Sequence, residues 1–434
     1  MLNSLPKIEV PRLGPAAIPS PLLAHYGPLV ELCVPDTAYV IDPARFDAEL
    51  LGEYRLFERA GPRAKLHFDP KKVRAGIVTC GGLCPGLNNI IRFVTNQLTH
   101  GYGVKDVLGF RYGYSGLNPA LGHAPMELTS QSVEDLSHFG GTALGSSRGP
   151  QDAKIVVDYL ESLGVNVLFC VGGDGTQRGA MRIDAEARRR ESSISVVGIP
   201  KTIDNDVPFC SRSFGFLTAV EKAVENLVAA HEEARSSDRG VGLVKLMGRD
   251  AGFICAAATS ASGVVNLTLI PELPFELEGP KGIVKFLEER MDNRNHVVIA
   301  VAEGAGQSLF ENRAVNTDAS GNKKFNDVGV LLRDRIVEHF AGIGKPISMK
   351  YIDPSYAIRG VPANSADALL CERYARHAVH AAMSGRTGMF VGYIHDEYIH
   401  VPMELATHYQ RRIDLSGSVW NSVLASTGQP AELK

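Results

Sequence analysis

The chain has 434 residues, 44% of them hydrophobic and 21% charged, with a formal net charge of −3. That length allows two or three domains with large buried cores, and the near-neutral charge supplies no basic field for nucleic acid. No apolar run reaches the length of about 18 residues that a membrane-spanning helix needs, the Pro-rich stretch Met1 to Pro28 lacks a signal-peptide apolar region, and Ala431 to Lys434 is not an address signal.

Residues 1 to about 70 are rich in proline, with short extended runs such as Ala38 to Ile41 and little helical periodicity. They read as an N-terminal extension that wraps the body or contacts another subunit; a partly disordered tail is the alternative for residues 1 to 25. From Arg74 the pattern changes. Ala75 to Cys80 reads as a buried strand, followed by a glycine-rich turn and a helix to about Thr99. Asn166 to Val171 and Ser195 to Ile199 repeat the theme, as do Gly242 to Leu246, His296 to Ala302 and Ile347 to Tyr351. Strands alternating with helices predict parallel sheets covered on both faces. The number of units exceeds one comfortable sheet. The expected fold is therefore α/β: two Rossmann-like three-layer α/β/α domains with mostly parallel sheets, plus the extension. Ligands bind such folds at the carboxyl ends of the strands, where every glycine-rich motif falls.

The seven cysteines are scattered, mostly inside apolar runs such as the one ending at Cys170, as in a reduced, cytosolic protein. Cys80 and Cys84 flank a glycine pair, but no second Cys/His pair has ligand spacing, so a zinc site is not expected.

Six motifs can carry chemistry. In G-G-L-C-P-G-L-N, residues 81 to 88, glycines let backbone N–H groups approach an anion just before a helix. In G-G-D-G-T, residues 172 to 176, the carboxylate of Asp174 stands at a strand tip, suited to Mg²⁺ beside phosphates, and Gly175 leaves open space. A turn that merely needs glycine is the plainer alternative. Lys201, Thr202, Asp204 and Asp206 share one loop, P-K-T-I-D-N-D. Two neighbouring carboxylates repel, so one becomes a better base or both attract a cation. A base for an alcohol attacking phosphorus, beside a metal-binding acid, is what phosphoryl transfer needs. Met247-Gly248-Arg249 offers a phosphate clamp, Glu303 a carboxylate for sugar hydroxyls, and Arg359 a second cation.

The ordered set G-G-x-x-P-G-x-N, L-G-S-S-R, G-G-D-G-T, T-I-D-N-D and M-G-R resembles the phosphofructokinase family over roughly residues 74 to 400. The extension and the forms K-L-M-G-R-D-A-G-F and Y-I-D-P-S-Y resemble its long-chain branch, which includes kinetoplastid and plant enzymes. The resemblance implies an extension over 1–73, a nucleotide- and phosphate-binding domain over 74–215, a sugar-phosphate-binding domain over 216–400, and a segment 401–434 packing back on the body. It implies that Gly81 lines the phosphate channel, that Arg148, Gly173, Asp174, Gly175 and Thr176 hold the donor, and that Tyr112 or, by its spacing from Gly116, Tyr114 stacks near the nucleotide. Asp204 is then the base for the sugar 1-hydroxyl, and Asp206 assists the metal that Asp174 serves. Thr202 and Arg249 stabilise the transferring group, with Lys201 beside them. Met247, Gly248 and Glu303 hold the sugar, and Tyr356 and Arg359 its 6-phosphate, with Lys350 reaching in from a neighbouring subunit. Tyr356 and Lys350 stand where the simple bacterial pattern has histidine and arginine. A further intersubunit arginine of that pattern falls on Gly240, with Arg239 adjacent but out of register.

The activity so implied is a cytoplasmic 6-phosphofructokinase: Mg²⁺-dependent transfer from ATP to fructose 6-phosphate, in a homotetramer or homodimer that binds neither nucleic acid nor membrane. Pyrophosphate is the alternative donor. In the family, glycine at position 175 leaves room for a nucleotide and aspartate there excludes it, whereas lysine at position 201 is shared with pyrophosphate users. Steric exclusion is the harder constraint, which favours ATP. NAD and diacylglycerol kinases share a G-G-D-G-T turn but not T-I-D-N-D or M-G-R. An inactive regulatory paralogue is a further alternative, against which Asp174, Asp204, Asp206 and Arg249 all remain.

Overall fold

Short runs of Val, Ile, Leu, Phe and Cys favour strands buried on both faces. In the computed structural model they form Arg74–Thr79, Val167–Gly172 and Ser195–Pro200, the last two buried at every position. The structure describes residues 7–26, 33–42, 55–310, 325–406 and 410–433. The chain divides into two units. The first comprises the described residues of Met1–Thr202, Val207–Gly215 and Val361–Gln410; the second comprises those of Ile203–Asp206, Phe216–Gly360 and Arg411–Lys434.

The sheet of the first unit has seven strands in the order Glu397–Pro402, Met389–Ile394, Ser195–Pro200, Val167–Gly172, Arg74–Thr79, Asp106–Phe110, Met126–Glu127. Pairing is parallel except at the two edges. Val171 lies opposite both Thr79 and Ile199, so three neighbouring strands end level with one another. Helices Leu87–Asn96 and Asp174–Arg189 each leave from one of these ends.

The second unit has a fully parallel four-stranded sheet, ordered Leu267–Leu269, His296–Ala302, Gly240–Leu246, Ser348–Ile352. Alternate residues enter two cores. Val244, Leu246, Val298 and Ala300 pack with helices Phe216–Arg235, Phe253–Ser262 and Ser418–Thr427. Val241, Leu243, Val297 and Ile299 pack with helices Ile283–Arg294 and Val328–Gly342. Leu246 pairs with Ala302 and Val244 with Ile352, which again sets three strand ends side by side.

The division departs from the sequence expectation at three places, the first being Ile203–Asp206, expected in the first domain and grouped with the second unit. Residues 361–400, expected in the second domain, belong to the first: helix Ser365–Met383 packs on helix Leu87–Asn96, and the hairpin Met389–Pro402 extends the first sheet. The last segment is shared, up to Gln410 with the first unit and from Arg411 with the second. The described residues of the extension are tied into the first unit. Leu13 N–H donates to Gly385 O at 2.9 Å, and Ala60 N–H to Tyr398 O at 2.8 Å. Glu58, almost fully buried, accepts hydrogen bonds from Arg12 (3.1 Å), Arg63 (3.2 Å) and Arg386 (3.1 Å). Residues 1–6, part of the stretch for which a disordered tail was the alternative, lie outside the described residues. Among the described residues no helix is long and apolar enough to cross a membrane, and none of the seven cysteines is in a disulfide.

Candidate active site

In the first unit the three level strand ends bring Gly81, Gly173 and Lys201 onto neighbouring strands. Cys80 N–H donates to Val171 O (2.9 Å) and Lys201 N–H to Gly172 O (3.1 Å), which extends the ladder past the last strand residues. Lys201 is only 8% exposed, and its Nζ donates to Gly82 O at 2.8 Å. The ammonium thus ties the P-K-T loop to the first glycine turn. A second loop, Gly140 to Arg148, closes over that turn: Gly81 N–H donates to Ser147 O (3.1 Å) and Ser146 Oγ to Gly81 O (2.6 Å). Together they line a pocket of ≈ 660 Å³ formed by residues 81–83, 140–142 and 145–148. Its walls are mostly glycine, serine and backbone, a surface suited to phosphate oxygens.

Asp174 opens the helix Asp174–Arg189, with Gly173 as N-cap, so its carboxylate sits at the positive end of the helix dipole. Thr176 is buried, and a Cβ on Gly172 would overlap its side chain. Gly175 faces open space: a Cβ there would meet only Arg178 Nη2, at 4.0 Å. Buried Gln177, which sequence reading passed over, donates to Gly172 O at 2.9 Å and so braces the turn from below. Its neighbourhood, three residues after an acid, resembles any helix start and carried no separate signal.

Tyr114 is not the exposed platform its spacing suggested. It is buried, and its hydroxyl donates to Thr176 O at 2.6 Å from the core side of the turn. The 3-10 turn Gly113–Leu117 directs Tyr114 inward and leaves Tyr112, 40% exposed, as the tyrosine of this motif that faces solvent. Burial pushes the Cys80 thiol up to about 12 and also raises Cys170, so neither is a nucleophile at neutral pH.

In the second unit the loop Ile203–Asp206 is held by Arg411. Its N–H donates to Asp206 O (2.9 Å) and its Nη1 to Asn205 O (3.2 Å), while its guanidinium lies over the Phe253 ring. Asn205 has φ 57°, a left-handed conformation that asparagine tolerates well. The chain crosses between units at Thr202–Ile203, so Lys201 and Thr202 belong to one unit and Asp204 and Asp206 to the other.

Met247, Gly248, Arg249 and Glu303 follow two adjacent strand ends. Gly304 N–H donates to Gly248 O at 3.0 Å, and a Cβ on Gly304 would overlap Arg249 O, so the M-G-R loop fits only against glycine. Gly248 itself has φ +130°, outside the range of ordinary side chains. Burial raises the Glu303 carboxyl, and Arg249, Arg359 and Lys245 act in the opposite direction. Glu303 thus stands among three cations. Arg359 lies over the ring of Tyr356, which is 83% exposed. Lys350 is exposed in the middle of the edge strand Ser348–Ile352, away from the strand end where the other groups gather. A Cβ on Gly240 would overlap Ala234 O, so no arginine fits there; Arg239 instead pairs with Asp292 at 3.4 Å and lies over Phe340.

Among the described residues no three His, Cys, Asp or Glu side chains cluster as a metal cage. One carboxylate beside a glycine turn of this kind suits a cation that other oxygens, of phosphate or water, mostly coordinate.

A family model described as Phosphofructokinase matches residues 74–382. The chain is 50% identical to an ATP-dependent 6-phosphofructokinase of Trypanosoma brucei brucei, covering 85% of this chain and 75% of the relative. It is 46% identical to one of Borreliella burgdorferi (87% and 86% covered) and 47% identical to ATP-dependent 6-phosphofructokinase 7 of Arabidopsis thaliana (87% and 78%). Among solved structures, a pyrophosphate-dependent phosphofructokinase from Marinobacter aquaeolei superposes with a TM-score of 0.67 at 18% identity, covering 83% of this chain and 92% of that one, a likeness of fold. With the family model spanning well over half its length and relatives near one-half identical along most of it, the chain belongs to the phosphofructokinase family.

Proposed function

We propose that the protein is an ATP-dependent 6-phosphofructokinase, transferring the γ-phosphoryl group of ATP to the 1-hydroxyl of fructose 6-phosphate to give fructose 1,6-bisphosphate and ADP. The observation that carries the choice of donor is the open space at Gly175, beside Asp174 at the helix start. An aspartate there would set a second carboxylate where a nucleotide's α-phosphate has to lie. The names of the bacterial, kinetoplastid and plant relatives agree with this reading.

The first unit takes the donor: backbone amides of the Gly81 and Gly173 turns and the Arg148 guanidinium bind its phosphates. Mg²⁺, when bound, neutralises charge on those phosphates, and Asp174, with help from Asp206, supplies hard oxygen donors for it. The second unit takes the acceptor: Arg359 and Tyr356 hold the 6-phosphate, and Met247, Gly248 and Glu303 the sugar. Asp204 accepts the proton of the 1-hydroxyl as that oxygen attacks the γ-phosphorus. Thr202 and Arg249 stabilise charge on the group in transit, and ADP leaves. Lys350, exposed on an edge strand, acts on the 6-phosphate of a neighbouring subunit in a homotetramer or homodimer, and the enzyme works in the cytoplasm.

Lys201 supports the second reading, a pyrophosphate donor. Its ammonium is already bound to Gly82 O, however, which gives it a task in holding the turn whatever the donor. A coupled assay with fructose 6-phosphate and Mg²⁺ fixed separates the two. Turnover with ATP alone supports the proposal; faster turnover with pyrophosphate overturns it. Silence with both points to a regulatory paralogue. Gel filtration with activity measured across the peak tests the assembly.

A further inference from the structure

Lys245 has no role in the scheme above, yet it is a buried cation two residues before Met247. Strand Gly240–Leu246 sends Val241 and Leu243 into the core under helix Val328–Gly342, and Lys245 follows them on the same face. It is 9% exposed. A lone ammonium in that position is strongly disfavoured unless paired. Its Nζ lies 2.8 Å from Asp327 Oδ2 and 2.9 Å from Asp353 Oδ2.

Each carboxylate has a second task. Asp327 caps helix Val328–Gly342, its Oδ1 accepting from Val330 N–H at 3.1 Å, and Tyr351 Oη donates to the same oxygen at 3.3 Å. Asp353 Oδ1 accepts from Ser355 N–H (3.1 Å) and Ser355 Oγ (2.5 Å), which fixes the turn leading into Ser355–Arg359. That turn carries Tyr356 and Arg359, both placed at the sugar 6-phosphate. One ammonium therefore joins the strand that ends in M-G-R to the segment that carries the phosphate ligands. Burial acts against the charge on Lys245, but its hydrogen bonds to Asp327 and Asp353 hold it above the ordinary lysine value, so the bridge stays ionised at neutral pH.

We propose that Lys245 is a positioning residue for the acceptor site: through Asp353 and Asp327 it fixes the segment Asp353–Arg359 against the strand delivering Met247, Gly248 and Arg249, and so sets the affinity for fructose 6-phosphate. The proposal rests on the reading of this unit as the acceptor side. Lys245 touches no reacting atom; it acts by holding Arg359 and Tyr356 where a sugar phosphate meets them.

Steady-state kinetics on the full chain test it, with both KM values and kcat determined for Lys245→Met, Lys245→Arg and Asp353→Asn. Lys245→Met should raise the KM for fructose 6-phosphate about tenfold, because small misplacement of binding groups is expensive, while KM for ATP and kcat stay within about threefold. Lys245→Arg should recover most of the loss, which a role of the side chain as mere packing would not produce. Asp353→Asn keeps volume and can keep the Ser355 contacts through Oδ1 while turning an amide N–H group toward the ammonium in place of Oδ2, so it breaks this link and reports even where Lys245→Met fails to fold; it should reproduce the KM effect. An unchanged KM for fructose 6-phosphate, or equal changes in both KM values, overturns the positioning role while leaving the activity intact. Wild-type protein that does not phosphorylate fructose 6-phosphate overturns this proposal and the assigned activity together.

Discussion

The two units solve similar problems with different materials. In the first, the glycine turns proposed for phosphate are made of backbone, around Gly81, Gly82, Gly172 and Gly173, and the side chains that help, Lys201, Gln177, Ser146 and Tyr114, all donate to carbonyl oxygens. Lys201 is the buried cation at these turns, and the network of buried ion pairs in that unit lies elsewhere, around Glu58 at the base of the extension. In the second unit the charge lies at the site itself, with Lys245, Asp327, Asp353, Glu303, Arg249 and Arg359 around two strand ends. A donor whose phosphates repeat along a chain can be read by amides that tolerate no side chain. A sugar phosphate with hydroxyls on one end and charge on the other calls for placed functional groups.

The comparison breaks first at Asp204. If the second unit supplies the reacting groups, Asp204→Ser should lower turnover at least about 100-fold, the range for losing a general base, with little change in fructose 6-phosphate binding. Turnover within a few-fold of wild type would remove Asp204 from that role. Next comes Gly175→Asp, which places a carboxylate in the open space beside Asp174. It should lower kcat/KM for ATP by about 100-fold, equivalent to ~2.7 kcal/mol of lost transition-state stabilisation, and affect pyrophosphate far less. An unaffected ATP reaction would mean the space at Gly175 is not where the nucleotide lies.

Gly172→Ala sharpens the contrast between backbone and side-chain construction. Its methyl would overlap the side chain of Thr176, which is itself buried beneath the turn. Overpacking of this kind costs about 1–3 kcal/mol and moves backbone. The expected result is a lower melting temperature and a raised KM for the donor with the KM for fructose 6-phosphate unchanged. A change confined to the acceptor KM would contradict the assignment of substrates to units.

The same contrast governs what could be read in advance. Glycine leaves a local mark whether it answers a close approach, as at Gly172 and Gly173, a positive φ, as at Gly81, or leaves space open, as at Gly175, so these turns were legible, and the strands before them followed from apolar runs of the right length. The bridge from Lys245 to Asp327 spans 82 positions, and nothing local to either residue announces the other. Arg411 holds the D-N-D loop from two hundred residues away, measured as |i−j| = 206 to Asn205. Tyr112 and Tyr114 stand two apart in one motif, and only the 3-10 turn decides which ring is buried. The hairpin Met389–Pro402 has the alternation of any sheet edge, which says nothing about which of two sheets it joins.

Acidification offers the gentlest test, because the two units place their titratable groups differently. In the first unit, His400 is fully buried against Glu58, its Nδ1 3.2 Å from Oε2, and burial holds its value down at about 4. Burial likewise lowers His377 to about 3, and His380 well below the ordinary histidine value. An unfolded chain takes up these protons near pH 6.5, whereas the folded one resists them. Their contribution to stability is therefore complete above about pH 6.5 and declines as pH falls toward the folded values, by about 1.4 kcal/mol per pH unit for each histidine. Glu58 adds to the loss further down: burial works against its charge, but His400 and Arg386 hold it well below the ordinary carboxylate value, so its share disappears only below the unfolded value of 4.5. Glu303 in the second unit has the opposite sign. Its raised value means it favours the folded state below 4.5 and loses that contribution as pH rises through the folded value, so acid protonates the site without unfolding it through this group. Half-buried His231 is lowered by burial too, with a smaller share than the fully buried three. The single tryptophan, Trp420, is buried in the second unit and reports on that unit alone. Urea unfolding between pH 7 and 4.5 should therefore show the midpoint by circular dichroism falling faster than the midpoint by Trp420 fluorescence. Equal shifts by the two probes would overturn the claim that the first unit carries the acid-sensitive charge.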